Sequence, residues 1–261
     1  MTSQNAQDKV SASVAGVRVD LTPAPEVIAR LRGSFEDTAS FCAVHTLNPE
    51  ILMEAFRNPE YATVLDTGTL NVVDGVGLQK APKFRLGASV DRICGADLIF
   101  HFAEMAEKAD RAIFLIGGQP ARLKLAMEEL RRRYPKLKVE GVSPAYSPEL
   151  PLSGQAEIAD QIKALQPGVV AVFLGAPRQE TWIAKNRSLL IESQVAIAAG
   201  LGGTVDFLSG EVPRAPGWIR SLGLEWAFRL AREPWRLKRQ ASCLPEFALR
   251  AVFSRQFIGC L

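Results

Sequence analysis

The residues of this chain best suited to chemistry stand in short polar breaks after apolar runs. Thr46-Leu47-Asn48 follows one run, Asp74-Gly75-Val76-Gly77 a second, and Gly117-Gly118-Gln119 a third. Gly175-Ala176-Pro177-Arg178-Gln179-Glu180 and Gly200-Leu201-Gly202-Gly203 follow two more. A carboxylate just past a buried strand, with glycine beside it, can exchange a proton with a ligand held close to the backbone. A helix opening directly after such a break turns its N–H groups toward an anion. The same residues have plainer uses. Asp-Gly makes turns, Asn48 before Pro49 is a good helix cap, and strand-to-helix turns need glycine in any case.

A second marked stretch runs from Arg214 to Arg239, with six arginines and Lys238 against only Glu225 and Glu233. Three of the four tryptophans, Trp218, Trp226 and Trp235, lie in it. Arg229, Arg232, Arg236 and Arg239 are spaced three, four and three apart, so one helix would align them in a stripe. Leu222, Trp226 and Leu230 form another row, and Pro234 should kink or end the helix. Such a face suits a membrane surface with anionic head groups. It equally suits a solvated helix packed on the domain by its tryptophans.

Several chemistries are excluded early. Cys42, Cys94, Cys243 and Cys260 form no C-x-x-C pair, which argues against a disulfide framework or zinc site and favours a reducing compartment. His45 and His101 alone cannot make a metal site, and both read as packing residues. The net charge of +3 creates no global field for nucleic acid. No basic start followed by an apolar stretch marks a secretory signal, and no apolar segment is long enough to span a bilayer, so a soluble or peripheral protein is expected.

The elements that must hold these residues alternate. Apolar runs at 41–45, 70–73, 112–116, 138–142, 169–174 and 195–199 read as strands, after a short strand at 17–21. Helical patterns fall at 49–66, 96–109, 120–134, 153–165 and 179–190, and Thr22-Pro23 reads as a cap and first helical position. The order predicts an α/β fold with a mostly parallel, doubly wound, Rossmann-like sheet, whose ligands bind at the carboxyl ends of the strands. Residues 1–15 are expected to be disordered, 16–205 to form the core, and 206–261 a basic, Trp-rich helical appendage.

Taken together, these segments resemble the WecG/TagA/CpsF family of glycosyltransferases (glycosyltransferase family 26). The residues carrying the resemblance are Thr46-Leu47-Asn48-Pro49, Asp74-Gly75-Val76-Gly77, Arg92-Ile93-Cys94-Gly95-Ala96-Asp97-Leu98 and Phe114-Leu115-Ile116-Gly117-Gly118. Tyr134-Pro135, Gly175 to Glu180, Asp206-Phe207-Leu208-Ser209-Gly210, Arg214-Ala215-Pro216, Leu224 to Leu230 and Glu233-Pro234 continue it. Arg178 stands where the family more often has lysine, Cys94 where it has a small residue such as serine, and residues 241–261 match no familiar motif.

The resemblance implies an inverting transferase that needs no metal or other cofactor. It would move a sugar such as N-acetylmannosamine, its uronic acid or glucose from a UDP-sugar donor to an undecaprenyl-diphosphate-linked monosaccharide. The enzyme would work at the inner face of the cell membrane, as a monomer or homo-oligomer. The resemblance puts the general base at Asp74. No Asp-x-Asp motif is present to hold a cation, so arginines and helix N-termini would meet the charge of the departing diphosphate. Arg92, Arg214 and Arg220 are the candidates, with Arg229, Arg232 and Arg236 facing phosphate or membrane. Thr46, Asn48, Gln179 and Glu180 would contact sugar, uracil or diphosphate; Asp206 is as well suited to capping a turn.

Three other function classes compete. A dinucleotide-dependent oxidoreductase needs G-x-G-x-x-G, but Lys80 stands where the third glycine after Gly75-Val76-Gly77 belongs. A non-catalytic nucleotide-sugar or membrane-binding module would leave Asp74 dispensable. Nucleic-acid binding, resting on the Arg/Trp tail alone, would weaken steeply with salt. With the diphosphate arginines placed beyond it, a cut near residue 205 is expected to leave a folded but inactive core.

Overall fold

The computed structural model describes residues 11–37, 40–87, 89–144, 155–234, 237–254 and 257–260. Its centre is a six-stranded sheet made of β3 (Cys42–Leu47), β4 (Leu70–Val73), β5 (Ile113–Gly117), β6 (Val139–Val142), β7 (Val169–Phe173) and β8 (Ile197–Gly200). The spatial order is β4-β3-β8-β7-β5-β6, and every described pairing is parallel. All six were expected from the apolar runs. A strand covered by helices on both faces is buried at every position and largely apolar, as β3, β4, β5, β7 and β8 are, with His45, Thr46 and Asn71 the polar exceptions.

The expected helical patterns are helices, two of them broken, and residues 76–86 and 204–208 form helices that were not expected. The segment expected as one helix over 49–66 is α2 (Pro49–Arg57) and α3 (Pro59–Asp66). Asn58 closes the first and caps the second, its side chain accepting from the Tyr61 N–H at 3.2 Å, and Pro59 cannot continue the preceding hydrogen-bond ladder. Residues 179–190 likewise divide into α8 (Arg178–Lys185) and α9 (Arg187–Glu192). The remaining helices of this part are α1 (Ala24–Glu36), α4 (Val76–Leu86), α5 (Gly95–Lys108), α6 (Pro120–Arg133), α7 (Gln155–Leu165) and α10 (Thr204–Leu208). Helix α1 is preceded by Pro23 with no side-chain cap, so Thr22 does not cap it; the Ala24 N–H instead donates to Asp91 at 2.9 Å.

Both ends of the chain depart from expectation. Residues 11–15, expected as part of a disordered start, hold β1 (Ser11–Val14), which pairs antiparallel with β2 (Val17–Asp20). Its other edge takes β9 (Ile258–Cys260), so the two ends of the chain close a small sheet. Between lie α11 (Gly217–Ser221), α12 (Glu225–Arg232) and α13 (Leu237–Phe253), the last packed on α2 and α4. Cys243, Phe247, Ala251, Phe257 and Ile258 share one buried cluster with Ala12, Val14, Leu47 and Leu52. Residues 206–261 are thus largely helical, as expected, and through α13 and β9 they also supply part of the buried core.

One buried group makes acid stability predictable. The fully buried His45 ring lies 3.1 Å from Asn71 through Nδ1, and burial lowers its pKa to about 4. An unfolded histidine takes its proton near pH 6.5, so the folded state is favoured above that value and loses the advantage as pH falls toward 4. The full loss is roughly 3 kcal/mol. Urea midpoints should therefore drop between pH 6.5 and 4, and more shallowly in His45→Gln; equal slopes in the two proteins would remove His45 as a cause.

Candidate active site

A cleft of about 990 Å³ opens at the carboxyl ends of β4, β3, β8 and β7. Thr46 and Asn48 enter it after β3, Asp74 to Gly77 after β4, Gly175 to Gln179 after β7, and Leu201 to Thr204 after β8. Residues from α12 and α13 close its far side, among them Glu225, Trp226, Arg229 and Gln240. Four of the five polar breaks that the apolar rhythm set at strand ends therefore share one cavity, while Gly117-Gly118-Gln119 after β5 lies outside its lining.

Asp74 lies half-buried on the cleft wall, its N–H donating to Leu47 at 2.8 Å. Its carboxylate accepts from the Cys94 thiol and from the Gly95 N–H at the start of α5. Burial is the largest influence on its proton affinity and raises the pKa above the ordinary aspartate value; Glu225 adds to the rise, while Cys94, Arg92 and Gly95 oppose it. A carboxylate with raised proton affinity, open to a cleft, is suited to take a proton from a bound hydroxyl. The adjacent glycine has a packing role. A Cβ on Gly75 would lie 2.7 Å from Pro49 Cδ, so glycine lets this turn close against α2.

Around this carboxylate the positive groups are partly matched. Arg92 lines the cleft 3.5 Å from the Glu225 carboxylate. Arg214 grips Asp97 with two hydrogen bonds of 2.6 and 2.7 Å and reaches Glu225 at 3.4 Å. That fork leaves the Arg214 guanidinium bracing α5 against α12, outside the cleft lining, and it holds the Asp97 carboxyl below its usual pKa. Arg220 is also outside the lining, near enough to Asp97 to lower that pKa further. Arg229 lines the cleft, its guanidinium 4.6 Å over the Phe207 ring.

The expected contact residues divide. Thr46 is buried and donates to the Gly200 carbonyl at 2.9 Å, and Asn48 caps α2 by accepting from the Ile51 N–H at 3.0 Å; both still border the cleft. Gln179 uses both ends of its amide internally, accepting from Gly202 N–H at 2.8 Å and donating to Glu180 at 2.7 Å. Glu180 is fully buried beneath the cleft, accepts from the Tyr61 hydroxyl at 2.9 Å, and has its pKa raised by burial. Asp206 pairs with Arg122 at 2.7 Å, outside the cleft. The expected arginine stripe is broken, because α12 ends at Arg232 and α13 starts at Leu237. Arg232 is exposed, stacked 5.3 Å over Phe228 and outside the lining, while Arg236 lies outside the described residues.

The lining also includes residues not nominated from sequence, among them Lys80, Cys94, Arg178 and Glu225. Arg178 and Cys94 were visible within motifs, the first at a helix start and the second next to the glycine that opens α5. Glu225 stood within the Leu224 to Leu230 motif, but nothing near it in sequence pointed to the site. It gains its place only when α12 folds back across residues 92 and 214, which lie far from it in sequence.

The model of a family described as the glycosyl transferase WecG/TagA/CpsF family matches residues 12–258. An N-acetylglucosaminyldiphosphoundecaprenol N-acetyl-beta-D-mannosaminyltransferase of Bacillus subtilis (strain 168) is 35% identical over 209 residues, 80% of this chain and 78% of that protein. A protein of the same name from Bacillus spizizenii is 33% identical over 220 residues, 84% of this chain and 82% of that one.

Proposed function

Because the chain belongs to the WecG/TagA/CpsF family of glycosyltransferases, we propose that it transfers a sugar from a UDP-sugar to undecaprenyl-diphosphate-linked N-acetylglucosamine, with inversion and without a metal ion. The donor sugar is N-acetylmannosamine or a close relative such as its uronic acid or glucose. The acceptor hydroxyl attacks the anomeric carbon as that carbon's bond to the diphosphate oxygen breaks. Its proton passes to Asp74, and UDP leaves with the bonding electrons. The observation that carries this reading is Asp74 itself, a carboxylate of raised proton affinity facing a cleft bordered by Arg92, Arg178, Lys80 and Arg229.

The cationic side chains take the part that a divalent ion plays where Asp-x-Asp is present. Arg92 and Arg229 meet the outgoing diphosphate, Thr46 and Asn48 border the sugars, and Gln179 positions the Gly202 loop. Arg214 acts through the Asp97 and Glu225 carboxylates rather than on substrate. The lipid-linked acceptor calls for work at a membrane surface. No described helix is long and apolar enough to cross a membrane, but Trp218, Leu222, Leu224 and Trp226 are exposed on α11, α12 and the turn between them. Tryptophan and leucine beside arginine suit attachment to an anionic cytoplasmic leaflet.

The test is a mass-spectrometric screen of UDP-sugars with a short-chain lipid-diphosphate N-acetylglucosamine acceptor, run with EDTA present. Transfer of one donor sugar at an undiminished rate is expected. If EDTA abolishes turnover and manganese restores it, the metal-free mechanism is wrong; no transfer from any donor would overturn the transferase reading.

A further inference from the structure

The cleft is chemically graded, and the wall that α13 contributes has no part in the reaction just described. Leu244, Phe247, Ala248, Ala251 and Val252 of α13 line it at spacings of three and four, which places them on one helix face. From Gln240 to Val252 this face runs about 18 Å at the helical rise of 1.5 Å per residue. Ala248 and Ala251 keep the wall low between the larger side chains. Leu249 and Phe253, further round the same helix, are 59% and 78% exposed.

At the polar end of the face, Gln240 is 8% exposed and lines the cleft. Its Nε2 donates to Glu50 at 3.1 Å, while its Oε1 is buried with no hydrogen-bond partner among the described residues. A buried acceptor without a donor is costly to the empty protein and is satisfied when a ligand brings an N–H or O–H.

We infer that α13 forms the wall of a polyprenyl channel: the first isoprene units of the acceptor lie along Leu244 to Val252, and Gln240 accepts a hydrogen bond from the sugar they carry. This rests on the acceptor class proposed above. The apolar wall is continuous with the cavity that holds Asp74, so the occupant must be joined to the reacting sugar. Helical walls have their backbone groups internally bonded and offer an extended peptide no ladder to join. A hydrocarbon chain needs none, and gains by leaving water.

Two measurements on the full chain test it. A benzophenone-tagged polyprenyl diphosphate, irradiated with the wild-type protein, should label residues 240–253; labelling confined to α11 and α12, or none, overturns the inference. This readout needs no turnover, so it decides the channel even if the transferase reading fails. In the second, Ala248→Glu and Val252→Glu place a charge at solvent-accessible positions on the wall. Each should lower the ratio of kcat/KM for a long-chain over a short-chain acceptor by tenfold or more, at unaltered thermal midpoint. An unchanged ratio overturns the inference.

Discussion

Asp74→Asn is expected to lower kcat by about 10²- to 10⁴-fold, the range that a positioned general base contributes. Donor affinity, read by calorimetry with UDP, should change little, because the groups assigned to the diphosphate are Arg92 and Arg229. Stability should not fall either. A carboxyl whose folded pKa is raised helps folding below its unfolded value and loses that help as pH rises through the folded one. At neutral pH the ionised Asp74 is therefore a burden that asparagine removes, while an amide oxygen still accepts from Cys94 or Gly95. The wild-type pH profile supplies a second signature. Activity should fall as pH drops through the raised Asp74 pKa, above the range of an ordinary aspartate. A variant with full turnover would remove Asp74 from the mechanism.

Deleting residues 235–261 should have an effect of similar weight on the fold. The deletion takes Phe247, Phe257 and Ile258 from the buried cluster that contains Ala12, Val14 and Leu52. Burial of each such side chain is worth about 1.5–3 kcal/mol, and the sum approaches the whole stability of a typical domain. A thermal midpoint lower by roughly 10 °C or more is expected, or loss of the cooperative transition altogether. A cut near residue 205 removes the same side chains, so the folded remnant that the sequence suggested is not expected. Recovery of either fragment with the wild-type midpoint would show that α13 and β9 only decorate the surface.

How much could be read without coordinates depended on whether a signal was local. The central strands were legible because burial on both faces makes them largely apolar, and the Asn58-Pro59 break was there to be seen. Ser11–Val14 was not. It buries only alternate positions, Ala12 and Val14, and its partner β9 lies at the opposite end of the chain. The site divides in the same way. Asp74 and Arg92 stand within short motifs and line the cleft. Glu180 belongs to a comparable motif and points into the core, where Tyr61 and Gln179 hold it. Spacing gives the helix a residue stands on, while the direction it faces is fixed by α3 packing against α8.

The antiparallel pairing of β1 with β9 also sets a timetable for synthesis. A chain emerging from the ribosome can begin on its parallel strands early, since domains fold from the N-terminal side as they appear. The edge of β1 has no third strand until Ile258–Cys260 has left the tunnel. The cavity wall contributed by α13 arrives only shortly before, so the cleft is completed late in synthesis, after every strand of the parallel sheet has emerged.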